Sequence, residues 1–399
     1  MKSKVFVIGT LDTKDAELRY AKRMVEKAGA EAVLVDVSTT IHAGKSDVSA
    51  KVVAACHPKS EAAVLGLADR GAAMAAMSEA LVQFLLTRKD VGGVLGLGGS
   101  GNTAIVTAGM RSLPVGVPKL MVSTVASGNT AAYVGPSDIA MMYSVVDVAG
   151  LNAISRKVIA NAAHAVAGMA LNSVRRVKTD KPSAGLTMFG VTTACVTQIR
   201  EQIEASHECF VFHATGTGGQ SLEKLVDSGL LDSVIDITTT EVADHLFGGI
   251  LPCTDDRFGA MIRTGVPYVG SVGAVDMVNF GARDSVPDKF RGRKFHIHNP
   301  QVTLMRTMPA ENKAIGAWIV ERLNRMTGPV RFLLPLRGLS AIDALGQVFH
   351  DLEADAALFS AIRAGWVPAK NRKLIEVDAH INDESFSREV VKNFNAITK

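Results

Sequence analysis

The sequence predicts an α/β protein of two doubly wound, Rossmann-like three-layer domains whose mainly parallel sheets face a shared cleft. Three observations carry this. Short β-rich runs alternate with helical patterns, as βαβ units require. At 399 residues the chain exceeds the size at which a single core keeps growing, so two domains are expected. Apolar residues make up 47% of the chain with 36 glycines and only 5% aromatics, the composition of a compact α/β enzyme.

In the first half, β-rich runs predict strands at Lys4 to Ile8, Glu31 to Asp36, Gly93 to Leu97 and Lys119 to Ser123, and another near Tyr143 to Val146. Helical periodicity falls at Asp15 to Ala28, Gly71 to Arg88 and Thr103 to Ser112, and Pro114 and Pro118 bar helix on the way into the fourth strand. Leu151 to Arg176 reads as a long Ala/Gly-rich helix, and the polar run Lys178 to Ser183 as the boundary. A second series follows: strand Leu186 to Phe189, helix Thr193 to Ala205, strand Cys209 to His213, helix Ser221 to Asp227 and strand Ser233 to Thr238. Strands at Tyr268 to Ser271, Val330 to Pro335 and Lys373 to Asp378 complete it. Residues 1–180 and 184–380 are thus the two domains, and 381–399 form a terminal helix, a candidate to dock on the first domain.

Composition narrows the function classes. The net charge of +4 comes from 43 basic and 39 acidic residues scattered together, with no basic run interleaved with aromatics, so no nucleic-acid partner is expected. The four cysteines include no CxxC pair, which disfavours a zinc ribbon or redox couple and fits a reducing compartment. Lys2 and Lys4 lead directly into the first strand without a signal-like apolar segment, and no apolar run reaches the roughly 18 residues of a membrane span. A cytoplasmic protein without a membrane partner is the expectation.

In open parallel sheets, ligands bind beyond the carboxyl ends of the strands. Five such loops stand out: Gly9 to Lys14, Asp36 to Thr40, Gly96 to Thr103, Ser123 to Thr130, and Val145 to Asp147. Each alone has a plain reading: Asp12 and Thr13 cap a helix, Lys14 is a solvated charge, Asp36 starts a turn. Their gathering at one sheet edge points to a ligand. The strongest loop reads GLGGSGNT, with four glycines in six positions between a strand and a helix, where exposed N–H groups and the helix dipole favour phosphate.

Gly96, Gly98 and Gly101 satisfy GxGxxG, but after the third strand, and no Asp or Glu between Asn102 and Ser137 could hold a ribose in the dinucleotide manner. An NAD-dependent dehydrogenase is therefore a weaker alternative. Gly44-Lys45-Ser46 fails the P-loop pattern because Thr39 stands where glycine is required. A mononucleotide or other phosphorylated ligand remains, with Asp36 free to accept a ribose or base hydrogen bond.

Six ordered blocks, GTLDTKDAELR from Gly9, VDVST from Val35, GLGGSGNT from Gly96, RSLPVGVPK from Arg111, STVASGNT from Ser123 and SVVDVAGLN from Ser144, carry a resemblance. The chain resembles the bacterial family of uncharacterised proteins that share the N-terminal ATP-binding domain of the plant tobamovirus-resistance protein. The likeness covers roughly the first 180 residues against the plant domain, and the bacterial two-domain layout the full length. It implies ATP as ligand, held by Thr10, Asp12, Thr13 and Lys14; Asp36 and Ser38; Gly98, Gly99, Ser100, Gly101, Asn102 and Thr103; and Ser123, Thr124, Ser127 and Gly128. It also implies a homodimer or higher homo-oligomer, and brings no reaction with it.

In the second half, Thr215, Gly216, Thr217, Gly218 and Gly219 follow a strand and enter a helix, a second candidate anion cradle. Glu241, Asp244 and His245 share a face if helical, and His296 and His298 share a side of a strand. Glu241 and His213 are the candidate catalytic bases, while Asp244, His245, His296 and His298 are weak candidates for a metal. Two functions follow. One is an enzyme, an ATP-dependent phosphotransferase or ligase with Mg²⁺ bridging the phosphates and a small anionic substrate in the interdomain cleft. The other is a non-catalytic interaction protein regulated by ATP.

Overall fold

The computed structural model describes residues 4–40, 42, 44–172 and 181–398. The chain divides into two compact units, Met1–Val177 and Lys178–Lys399.

The first unit holds β1 (Lys4–Gly9), β2 (Ala32–Asp36), β3 (Val91–Gly98), β4 (Lys119–Ser123) and β5 (Ala140–Tyr143) in one parallel sheet of order β2-β1-β3-β4-β5. Side-chain alternation sorts each strand between two cores. Val5, Val7, Leu34, Leu95 and Leu120 pack under the helices Leu11–Lys27 and Ala153–Leu171. Phe6, Ile8, Val33, Val94 and Met121 face the helices Arg70–Leu86 and Ser100–Ser112 on the other side. The inner strands β1, β3 and β4 are buried on both faces along most of their length, which is why they read as apolar runs, whereas the edge strand β5 is partly exposed.

β5 ends at Tyr143, three residues before the expected strand end, because β4 pairs with Ala140 to Tyr143. Val145 lies beyond it, exposed and at φ +66°. The long helix ends at Leu171; residues 173–176 of its expected span, and 178–180 of the expected boundary, lie outside the described residues.

The second unit repeats the winding. β6 (Ser183–Met188), β7 (Glu208–His213), β8 (Ser233–Thr238), β9 (Tyr268–Gly273), β13 (Val330–Pro335) and β14 (Arg372–Val377) form a parallel sheet of order β7-β6-β8-β9-β13-β14. Between β9 and β13 the chain inserts a small antiparallel sheet, β10 (Met277–Phe280), β11 (Phe295–Asn299) and β12 (Val302–Arg306), in the order β10-β12-β11. The sequence reading had only His296 and His298 on a strand here. It also missed the helices Pro309–Arg325 and Leu352–Gly365, which pack against each other.

The terminal helix spans Glu384–Asn395, and its apolar face is buried. Phe386, Val390 and Phe394 on its apolar face enter the core beneath the helix Thr193–Ile203, with Cys195 and Ile199, inside its own unit.

Candidate functional site

Strand order fixes where a crevice opens in the first unit. The chain leaves β1 toward one face of the sheet and β3 toward the other, so the loops after these neighbouring strands splay apart. A cavity of about 540 Å³ lies there, lined by Thr10, Asp12, Thr13 and Lys14 after β1 and by Gly99, Ser100, Gly101 and Asn102 after β3. The two loops predicted to share a ligand do share a cavity.

Backbone chemistry makes its walls electropositive. Gly99 is the N-cap of the helix Ser100–Ser112 and offers no side chain to its first turn. Gly98 sits at φ +154°, and a Cβ there would come within 2.7 Å of Asn102 Cβ, so only glycine brings the chain through this turn. Asn102 donates Nδ2–H to the carbonyl of Leu97 while its buried Oδ1 has no partner. Across the cavity the first helix is kinked at Lys14 (φ −132°, ψ 23°), so regular helix begins at Asp15, the expected start. Thr10 and Thr13 share a hydroxyl contact at 2.9 Å, and Asp12 accepts from Thr40 at 2.5 Å.

Thr39 and Thr40, from the candidate loop Asp36 to Thr40, also line the cavity; the rest of the wall was not anticipated: Leu67, Ala68, Arg70, Ala73 and Met74 from the crossover into β3, and Ile105. Arg70 opens the helix Arg70–Leu86, whose N-cap is Asp69. The sequence signal was there, Asp-Arg-Gly ahead of a helical pattern on the segment returning from β2. It lacks the glycines and hydroxyls that marked the other loops. Among the described residues, neither Lys14 nor Arg70 has a carboxylate within ion-pair distance.

Several expected contacts stand behind this wall. Asp36 is 3% exposed and is not free for a ribose or base. Its Oδ1 accepts from Leu11 N, Ser38 N and Ser38 Oγ, and its Oδ2 pairs with His42 Nε2 at 2.7 Å. Ser38, fully buried, accepts from Asp12 N through its hydroxyl. Both residues cap the first helix and so set the loop Thr10 to Lys14. Thr103 and Ser123 are buried and joined at 2.6 Å, tying the glycine loop to β4. Thr124 donates its N–H to Gly98 O, whereas Ser127 and Gly128 lie in an exposed turn away from the cavity lining.

In the second unit, the cradle Thr215 to Gly219 binds an anion of its own chain. Glu241, fully buried, accepts from Gly216 N at 2.6 Å and Gly219 N at 3.1 Å. A Cβ on Gly219 would lie 2.2 Å from Glu241 Oε2, so glycine is needed for the carboxylate to seat. Arg257 completes the cluster, donating Nε–H to Glu241 Oε2 (3.0 Å), Nη1–H to Glu223 (3.1 Å) and Nη2–H to Asp236 (2.9 Å). Burial pushes the Glu241 and Glu223 carboxyls up, with the Arg257 guanidinium opposing it. Thr215 and Thr217 shape the turn through backbone contacts to and from it. Glu241 is thus a structural anion, not a base open to substrate. His213, the other candidate, is exposed at the end of β7 and packs on Phe189 with ring centroids 5.2 Å apart.

The metal candidates are dispersed. Asp244 accepts from the backbone N–H groups of Asn279 and Leu251 and orders that loop, while burial pushes its carboxyl up to about 7. His245 pairs with Asp255 at 3.0 Å, His296 lies edge-on to Phe349, and His298 is exposed on β11. Among the described residues, no group of three or more His, Cys, Asp or Glu is placed to hold a metal. No helix among them is long and apolar enough to cross a membrane.

Comparison with known proteins follows the same division. Residues 3–175 match the N-terminal domain of the uncharacterised protein family UPF0261, and residues 181–398 match its C-terminal domain. A UPF0261 protein of Rhizobium meliloti (strain 1021) is 55% identical over 394 residues, covering 99% of both chains. One from Clostridium tetani is 43% identical over 397 residues, covering 98% of both. The ToMV resistance protein Tm-1 of Solanum lycopersicum is 42% identical over 422 residues, which take in 99% of this chain and 56% of the tomato protein. Matched along both domains, the chain belongs to the UPF0261 family.

Proposed function

We propose that the first domain is an ATP-binding module and that the protein is an ATP-binding two-domain protein. One observation carries the reading: two cations that have no carboxylate partner among the described residues, Lys14 and Arg70, share a cavity of about 540 Å³ with the uncapped first turn of the helix Ser100–Ser112. Phosphate oxygens would accept from the Ser100, Gly101 and Asn102 amides, with Lys14 supplying the charge. Asp12, exposed on the same wall, is the residue suited to a phosphate-bound Mg²⁺. Leu67, Ala73, Met74 and Ile105 give the apolar wall that a purine ring would pack against.

Of the two uses of ATP, the regulatory one has more support in the second domain. The carboxylate offered as catalytic base there, Glu241, is bound by its own chain. ATP then acts by stabilising the state that binds it. Titration calorimetry of ATP with and without Mg²⁺, alongside phosphate release against pooled small carboxylates and sugar acids, tests both parts. Saturable binding without turnover is the expected result. Turnover would restore the phosphotransferase or ligase reading, and absence of binding would remove the ATP assignment.

A further inference from the structure

Resting on that reading, we infer that Arg70 is a phosphate-clamping residue that selects ligands with two or more phosphates over monophosphates. The helix Arg70–Leu86 runs alongside the helix Ser100–Ser112 in the same direction: a Cβ on Gly101 would touch Met74 and one on Gly109 would touch Leu81 and Leu85. Their N-termini therefore open side by side at the cavity, and that of the helix Leu11–Lys27 opens across it. Only that of the helix Ser100–Ser112 is left without a side-chain cap; Asp69 caps the helix Arg70–Leu86, and Asp36 and Ser38 cap the helix Leu11–Lys27.

Arg70 and Lys14 add two full cations at the positive ends of helices, a placement that dipole and like-charge effects both disfavour. Asp69 caps Ala72 N at 2.6 Å and Asp12 accepts from Thr40 Oγ1; both lie near the cations, yet among the described residues neither forms an ion pair with Arg70 or Lys14.

Among the described residues neither cation is ion-paired, so both are open to an anionic ligand. A monophosphate beside the Gly99 to Asn102 turn engages one end of it. A second or third phosphate extends the negative charge to the Arg70 wall, where a guanidinium fork grips phosphate oxygens in pairs. The crossover from β2 to β3, rather than the glycine loop, then sets how many phosphates the site prefers.

The test is titration calorimetry of AMP, ADP, ATP and inorganic tripolyphosphate into the full-length protein and into Arg70→Gln and Arg70→Lys, with thermal unfolding of each without ligand. Arg70→Gln is expected to weaken ATP and ADP by about 10- to 100-fold and AMP by less than threefold. Arg70→Lys should recover part of the loss, and the ligand-free Arg70→Gln protein should melt no lower than wild type because the substitution breaks no ion pair. Equal loss for AMP and ATP, unchanged ATP affinity, or a lowered melting temperature in the ligand-free variant would overturn the inference and leave the ATP reading standing. Failure of wild type to bind any of the four would overturn both.

Discussion

Gly216 donates its backbone N–H to Glu241 Oε1 over 2.6 Å, so the glycine turn after β7 is filled by a carboxylate from the helix after β8. Arg257 holds the other oxygen. Removing the cation leaves three carboxylates without one, whereas neutralising Glu241 leaves Arg257 two partners. Arg257→Met should therefore cost about 3–5 kcal/mol, and Glu241→Gln about 1–3 kcal/mol, in chemical denaturation. Neither should change ATP affinity by more than about twofold, a free-energy change within ordinary surface effects. Loss of ATP binding with the fold intact would return Glu241 to the candidate site residues.

Two adjacent glycines should respond in opposite ways. A Cβ on Gly99 would lie 3.7 Å from Thr124 Oγ1, ordinary contact, at a φ of −82° open to any residue. Gly99→Val should keep the melting temperature and weaken ATP binding, since its side chain stands at the cavity wall. Gly98→Ala, at φ +154° against Asn102, should destabilise the domain instead. Circular dichroism melts with calorimetry separate the two effects, and equal melting temperatures would contradict this account of Gly98.

Lys14 tests the charge assignment. It interrupts the first helix and lines the cavity with no acidic partner among the described residues, so Lys14→Ala removes charge from the site without breaking an ion pair among them. ATP affinity should fall by about 10- to 100-fold, the range of one charged hydrogen bond. An unchanged dissociation constant would show that the phosphates lie elsewhere.

A second buried cluster predicts a pH response. Arg306 faces Asp355 at 2.7 Å and Asp343 at 3.3 Å, with Asp276 beside them on Ser340. Burial and the neighbouring carboxylates push the Asp343 carboxyl well up. With its folded pKa above the unfolded one, Asp343 stabilises fully below about pH 4, and that contribution is lost as pH rises toward and through the folded value. Asp343→Asn mimics the protonated group, so its melting temperature should fall less between pH 5 and about pH 8 than that of wild type. Parallel curves would assign the proton elsewhere.

Both parallel sheets were legible in the sequence, because strands buried on two faces leave unbroken apolar runs such as Val5 to Ile8 and Phe332 to Leu334. β10 and β12 were not, since these short buried segments carry polar residues, Asn279, Thr303 and Arg306, and owe their pairing to each other across the chain. The helix Pro309–Arg325 had a readable signal in Ile315, Ile319 and Leu323 behind Pro309. Glycine and hydroxyl content found both anion-binding turns. It could not distinguish the turn open to a cavity from the one closed by Glu241, which lies 22 residues beyond Gly219 and meets it only through the fold. Asp36 misled for a related reason: a carboxylate at a strand end serves a neighbouring helix as readily as a ligand.

The ATP assignment is tested most directly by a crystal structure of the full-length protein with a non-hydrolysable ATP analogue. The predicted result is phosphate density within hydrogen-bonding reach of the Ser100 to Asn102 amides and Lys14 Nζ. Phosphate density at any other place, with that cavity empty, would contradict it.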